Sequence, residues 1–245
     1  LHGPVATPQK TILLVDDTVT GAIIVSTPDH MHAPVSLPAM QLGKHVQCQK
    51  PLTHTVHEAR QMRLAAKKYN VVTQMGNQIH SNLEYRLGVR LLRDGAIGKV
   101  KEIHSWVSVD GRERTAFDDR PPKSLESAPP SNVNWDLWVG PAPMRPYVAD
   151  TYHPFVWRDW QDFGSGALGD FGCHILDPIF TALELTAPTT VRAVHSGTNG
   201  EVWPGPERVH FSFPGPKFTA KKLKITWHDG RLQHAKELAQ MPPDL

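Results

Sequence analysis

Apolar positions in the first part of the chain follow two alternating rhythms. Ala22-Ile23-Ile24-Val25-Ser26 is a β-branched run bounded by Gly21 and Thr27-Pro28, which predicts a buried strand. Pro34 suits the first turn of a following helix that ends near Gly43. Pro38 removes a backbone donor further in, so that helix is expected to be short or kinked. His45-Val46-Gln47-Cys48 and Val71-Val72-Thr73-Gln74 predict two more strands. Between them, Thr55 and Glu58 form a capping box for a helix to about Tyr69, with Val56, Ala59, Met62 and Ala66 on one face. Ser81 with Glu84 predicts another cap, for a helix with Leu83, Leu87 and Leu91 inward and Gly95 closing it. Strands and helices alternating at this spacing predict βαβ units and a parallel sheet.

The rhythm changes after Gly98. Lys99 to Val109 alternates as an extended strand, and a loop rich in Pro, Ser and charge follows to about Ser131, expected on the surface. A single helix is expected from about Leu168 to Leu185. Thr190–Ser196, Arg208–Phe213 and Leu223–Trp227 then read as strands divided by Gly and Pro. The fold class is therefore α/β: a parallel-sheet domain over 1–97, then an α+β domain over 98–245 with an open, mostly antiparallel sheet. No internal repeat is visible.

Composition narrows the function. Lys and Arg number 26 against 24 Asp and Glu, a net charge of +2, so no electrostatic footprint for nucleic acid exists. No apolar run reaches the roughly 18–20 residues of a membrane span, and a soluble, cytoplasmic protein is expected. Cys48 and Cys173 are too few for a disulfide framework.

Three constellations carry candidate chemistry. Thr27-Pro28-Asp29-His30-Met31-His32 follows a strand, where ligands sit in open α/β sheets; a plain turn before a helix explains it equally well. His30 and His32 as a metal pair lack a third ligand nearby, and no metal is expected. Lys50, before Pro51, emerges at the same edge, although a lone lysine is usually a solvated one. Asp170 and His174 stand four apart with Asp177 three further on, spacings that share a helix face. A carboxylate beside an imidazole sets its tautomer for proton transfer, and equally satisfies a structural histidine. The aromatic residues Trp135, Trp138, Tyr147, Tyr152, Trp157 and Trp160 suit either sugar stacking or core packing.

The stretches STPDHMHAP, GKHVQCQKPLTHTVHEAR, QMGNQ, GAIGKV, WDLWVGPAPMRPY and GSGALGDFGCHILD, in this order, resemble the Gfo/Idh/MocA family of NAD(P)-dependent oxidoreductases. The resemblance implies a Rossmann-type first domain, NAD or NADP as cofactor, and a sugar, sugar acid or inositol-like substrate. Lys50 matches the lysine of the family's Glu-Lys-Pro motif, which meets substrate and nicotinamide. Asp170 and His174 match its D-x-x-x-H motif, with the histidine as proton donor and acceptor. Thr27, Pro28, His30 and His32 match the cofactor loop. Gln74 and Asn77 fall beside the cofactor, while Gln78, Trp157 and Arg158 fall on the substrate side. Relatives commonly form homo-oligomers through the second sheet. A glycoside hydrolase using NAD, or a non-catalytic sensor, are the rival readings.

Two departures from the family pattern stand out. Gln49 replaces the motif glutamate, removing a charge beside Lys50. The phosphate-cradling G-x-G-x-x-G with its βαβ unit is not found in the 245 residues, so the chain is expected to be an incomplete copy.

Overall fold

The computed structural model describes residues 21–107, 126–152, 155–195, 197–204, 207–215 and 217–229. Most of the Pro-rich loop expected up to Ser131 lies outside the described residues, as does the end of the strand expected to reach Val109. Two compact units emerge, interleaved along the chain rather than divided once near residue 97. One holds 1–77, 119–170 and 200–203; the other holds 78–118, 171–199 and 204–245.

The first unit is built on β1 (Ala22–Val25), β2 (His45–Gln49) and β3 (Thr73–Gly76), parallel and in that order. Ile23 pairs with Val46 and Val46 with Thr73, while Val25, Cys48 and Met75 align one pleat further on. Because alternate residues share a face, Val25, Val46 and Cys48 turn together toward one core. That core takes in Ala39 and Met40 of α1 (His32–Gln41) and Met62 and Ala65 of α2 (Val56–Lys68).

Helix α1 follows a 3-10 turn at Asp29–Met31, carries Pro34 in its first turn as expected, and runs through Pro38 to Gln41. The capping box of α2 is formed as expected. Thr55 Oγ1 accepts from the Glu58 N–H at 3.2 Å, and the Thr55 N–H donates to Glu58 Oε2 at 2.8 Å. Its inward face differs: Met62 and Ala65 are buried, whereas Val56 is 70% exposed.

The stretch from 126 to 170 adds an aromatic core to this unit. Trp135 and Trp138 stack at 4.8 Å behind the short helix α4 (Trp135–Val139). Trp138 meets Phe163 edge-on at 4.9 Å, and Tyr152 leans on Trp160 at 4.9 Å. Trp157, Trp160, Phe163, Tyr147 and Tyr152 are all buried. Packing of these rings fills the interior of this unit.

The second unit centres on β4 (Val100–Trp106), β5 (Thr190–His195), β6 (Glu207–Pro214) and β7 (Thr219–His228), in the order β4-β7-β6-β5. β5, β6 and β7 are antiparallel, and β4 joins β7 in parallel, so the sheet is open and mostly antiparallel. Phe213, Leu223 and Ile225 on its inner face bury Ala182 and Leu183 of α6 (Asp177–Leu183).

Helix α3 (Leu83–Arg93) packs on the same core through Val89 and Leu92, and Tyr85 Oη donates to Thr181 Oγ1 at 2.7 Å. The stripe expected to face inward points the other way: Leu83, Leu87 and Leu91 are 75%, 54% and 48% exposed. The helix carries two apolar stripes, and the one bearing Tyr85 has a hydroxyl partner to reach. The expected Ser81 cap is also not made; α3 begins after Asn82 without a side-chain cap, and Ser81 ends a 3-10 turn.

The single helix expected over 168–185 is two. α5 (Gly166–Ile175) ends before Leu176, and α6 restarts with Pro178 in its first turn, where a missing N–H costs nothing. No helix among the described residues is long and apolar enough to cross a membrane.

Candidate active site

Lys50 stands directly after β2, followed by a cis peptide to Pro51. Its ammonium is held by one residue twice over. Lys50 Nζ donates to Asp170 Oδ1 at 2.5 Å and to the Asp170 carbonyl at 2.7 Å. Arg158 Nε lies 3.2 Å from the other oxygen, Oδ2, so a single buried carboxylate joins two cations. The Arg158 guanidinium in turn lies over the Trp157 ring at 4.2 Å and the Phe155 ring at 4.5 Å. Charge-assisted contacts of this length, out of bulk water, fix the direction of an otherwise flexible lysine.

The loop that delivers Asp170 is shaped by glycine. A Cβ on Gly164 would stand 2.5 Å from Arg158 Cα and 2.6 Å from its carbonyl oxygen, and one on Gly166, at φ +65°, would press on Trp203. The Gly164 carbonyl accepts from Trp203 Nε1 at 2.8 Å, with His54 Nε2 3.2 Å away. Between the two glycines, Ser165 Oγ donates to Asp29 Oδ2 at 2.7 Å. Burial raises the Asp29 pKa, with the Ser165 bond and the charge of His32 opposing the rise.

The sequence-predicted residues separate into groups. Lys50, Asp170, Arg158 and the buried Trp157 come together in the first unit. Thr27 and Pro28 line a cavity of ≈ 170 Å³ with Met31, Asn134, Leu137 and Trp138, mostly apolar and at the carboxyl side of β1. Gln74 is exposed on β3, and Asn77 follows that strand. Gln78 and His174 belong to the second unit, with His174 buried one turn after Asp170 on α5, across the point where the units part.

His30 and His32 have another occupation. His30 Nδ1 and Nε2 lie 3.2 and 3.1 Å from the carbonyl oxygens of Phe163 and Trp138. His32 Nδ1 and Nε2 lie 2.7 and 2.9 Å from those of Pro51 and Thr27. Both rings are buried, and their four nitrogens face protein carbonyls rather than the cavity. Burial holds the His30 pKa down at about 4, against the pull of its carbonyl partners.

Three further groups complete the inventory. Burial pushes the Cys48 thiol up to about 11, which removes it as a nucleophile. Asp177 takes no part with Lys50: in the second unit its Oδ2 lies 2.7 Å from His80 Nδ1, a partner that no motif announced. Ser165, Asp29 and His54 were equally invisible as a group, since their pairing spans more than a hundred residues. Among the described residues, no three His, Cys, Asp or Glu side chains gather as a metal site.

Two regions of the chain match family models. Residues 10–77 match "Oxidoreductase family, NAD-binding Rossmann fold", and 121–200 match "Oxidoreductase family, C-terminal alpha/beta domain". The chain belongs to the Gfo/Idh/MocA family. Within it, levoglucosan dehydrogenase of Pseudarthrobacter phenanthrenivorans is 26% identical over 165 residues, covering 67% of this chain and 33% of the relative. The 1,5-anhydro-D-fructose reductase of Ensifer adhaerens is 35% identical over 86 residues, 35% of this chain and 26% of its own. A levoglucosan dehydrogenase solved with NADH and levoglucosan superposes with a TM-score of 0.58 at 20% identity, covering 91% of this chain and 51% of that one. This likeness shows a Gfo/Idh/MocA fold. The chain thus spans about half or less of the length of these relatives.

Proposed function

We propose that the protein carrying this chain transfers a hydride between NAD(P) and a secondary alcohol carbon of a sugar, sugar acid or inositol-like substrate. The observation that carries the reading is Lys50, held at the carboxyl end of a parallel strand by Asp170, which also binds Arg158, in a chain whose first region matches an NAD-binding model. Ligands of open parallel sheets bind at that edge. The names of the relatives, levoglucosan dehydrogenase and anhydrofructose reductase, support a sugar-like substrate.

The residues present suit one end of a dinucleotide, not its pyrophosphate. Thr27 Oγ1 is buried without a hydrogen-bond partner among the described residues, and Thr27 lines the apolar cavity with Pro28 and Trp138. We assign these residues, with Gln74 and Asn77, to the cofactor side. Bound NAD(P) supplies the hydride acceptor in oxidation.

The chain's own side chains do the rest. The substrate hydroxyl gives its proton to the His174 imidazole as the C–H electron pair leaves as hydride. We assign to Lys50 Nζ the stabilisation of the alkoxide charge that develops in this step. Asp170 aims Lys50, and Arg158 with Gln78 and Trp157 contributes to substrate binding. We place the enzyme in the cytoplasm, where the cofactor is recycled, and assign self-association to the second sheet, whose β5 is exposed along its length.

The test is spectrophotometric: NAD(P)H formation by the full-length protein across a panel of anhydro-sugars, inositols and uronates. His174→Ala should lower kcat by roughly 10²–10⁴, the usual contribution of general acid–base catalysis. Near-normal kcat in that variant at saturating substrate would remove the proton-transfer role and leave a structural histidine.

A further inference from the structure

We propose that His32 is a positioning residue for Lys50, locking the turn that carries the lysine to the loop that follows β1. The inference rests on reading Lys50 as catalytic, and it assigns a role outside the cofactor contacts.

In a parallel sheet the ladder ends where the strands end, so loops leaving neighbouring strands need another tie. The loops after β1 and β2 leave the sheet side by side, since Val25 and Cys48 are in register. The turn at Lys50 is poorly supplied with donors, because Pro51 has no N–H. His32 supplies the tie from the first residue of α1. Its Nδ1 reaches the Pro51 carbonyl at 2.7 Å, and its Nε2 reaches the Thr27 carbonyl at 2.9 Å. Both partners are oxygens that only accept, so each contact is a hydrogen bond where its nitrogen carries a proton, and the ring ties both loops when both nitrogens do.

The ring is 1% exposed, so these contacts are made out of bulk water. A second contact holds the far side of the turn, where Cys48 Sγ lies 3.5 Å from the Leu52 carbonyl. Lys50 Nζ meets Asp170 Oδ1 at 2.5 Å, so the turn sets where the ammonium is presented. Geometry of this order matters to rate: misplacement by about 1 Å can cost up to about a hundredfold.

The experiment uses the full-length protein with two substitutions and a control. His32→Phe keeps the ring volume and removes both nitrogens. His32→Asn is too short to span the two carbonyls. Met62→Ala opens the core of the same unit away from the turn. Three quantities are read for each: kcat and KM at saturating NAD(P), the thermal midpoint, and the rate at which an amine-acylating reagent labels Lys50, followed by mass spectrometry.

Both His32 variants should lose about tenfold or more in kcat with KM changed far less, and Lys50 should label several-fold faster as its grip on Asp170 loosens. Met62→Ala should lower the thermal midpoint comparably while keeping wild-type kcat and labelling. Wild-type kcat and labelling in a folded His32 variant would overturn the proposal. Should His32→Phe fail to fold, His32→Asn decides it by the same readings. A parent protein that oxidises no polyol would instead count against the reading of Lys50 as catalytic, and the labelling rates would still decide whether His32 positions it.

Discussion

A buried histidine facing two carbonyls is a residue whose behaviour depends on pH in a definite direction. His30 is 3% exposed, and its pKa is held at about 4 against an ordinary 6.5, chiefly by burial. Between those values the unfolded chain takes a proton that the folded one refuses. The folded state is therefore progressively disfavoured as pH falls from 6.5 toward 4, by roughly 3 kcal/mol at most. Asp29 works in the opposite sense in the same unit, since its raised pKa favours the protonated folded form in acid. Comparing wild type with His30→Asn isolates the histidine. Urea unfolding from pH 7 to 4 should show a smaller acid loss in the variant, and an unchanged slope would refute the assignment. In the sequence, this ring and its neighbour His32 matched cofactor-loop residues, and as a metal pair they lacked a third ligand. What redirected them is the company of Phe163, Trp138 and Pro51, which no local pattern displays.

At the level of elements, legibility followed the range of the interactions. The capping box of α2 was readable because Thr55 and Glu58 are three residues apart and need nothing else. The face of α3 was not, because its apolar stripes compete and Thr181, far along the chain, decides between them. The break at Leu176 was missed, because apolar periodicity runs across it to α6, where Pro178 sits in the first turn. The structure makes one of the glycines before α5 obligatory. A methyl on Gly164 meets Arg158 main-chain atoms at 2.5 and 2.6 Å, and main chain cannot rotate away. Gly164→Ala should destabilise the protein by about 1–3 kcal/mol, the usual cost of overpacking. It should also weaken substrate turnover, because Arg158 shares Asp170 with Lys50. Equal urea midpoints for variant and wild type would show that the loop has room that the geometry denies.

Across the whole molecule, the alternation of strands and helices, the change of grammar after Gly98 and the βαβ character were all carried by local sequence. The interleaving of the two units was not, because it depends on where 126–170 and 78–97 pack, a matter of long-range contact. Each unit holds a buried titrating group of its own. In the second, burial and the nearby Asp229 carboxylate push the Glu207 pKa up to about 7 from 4.5. Here the folded state holds a proton that the unfolded chain gives up. The stabilisation is present in full below pH 4.5 and fades as pH rises through 7, opposite in sign to His30. Glu207→Gln keeps the shape and removes the titration. Protection of β6 and β7 amides, converted to opening free energies at pH 5 and pH 8, should decline with pH in the wild type and stay level in the variant. The variant should be the more stable of the two at pH 8, because it buries an amide where the wild type buries a charge. Parallel pH dependence in the two proteins would mean that Glu207 stays ionised in water's reach, and that burial at the end of β6 is less complete than its position beside Asp229 implies.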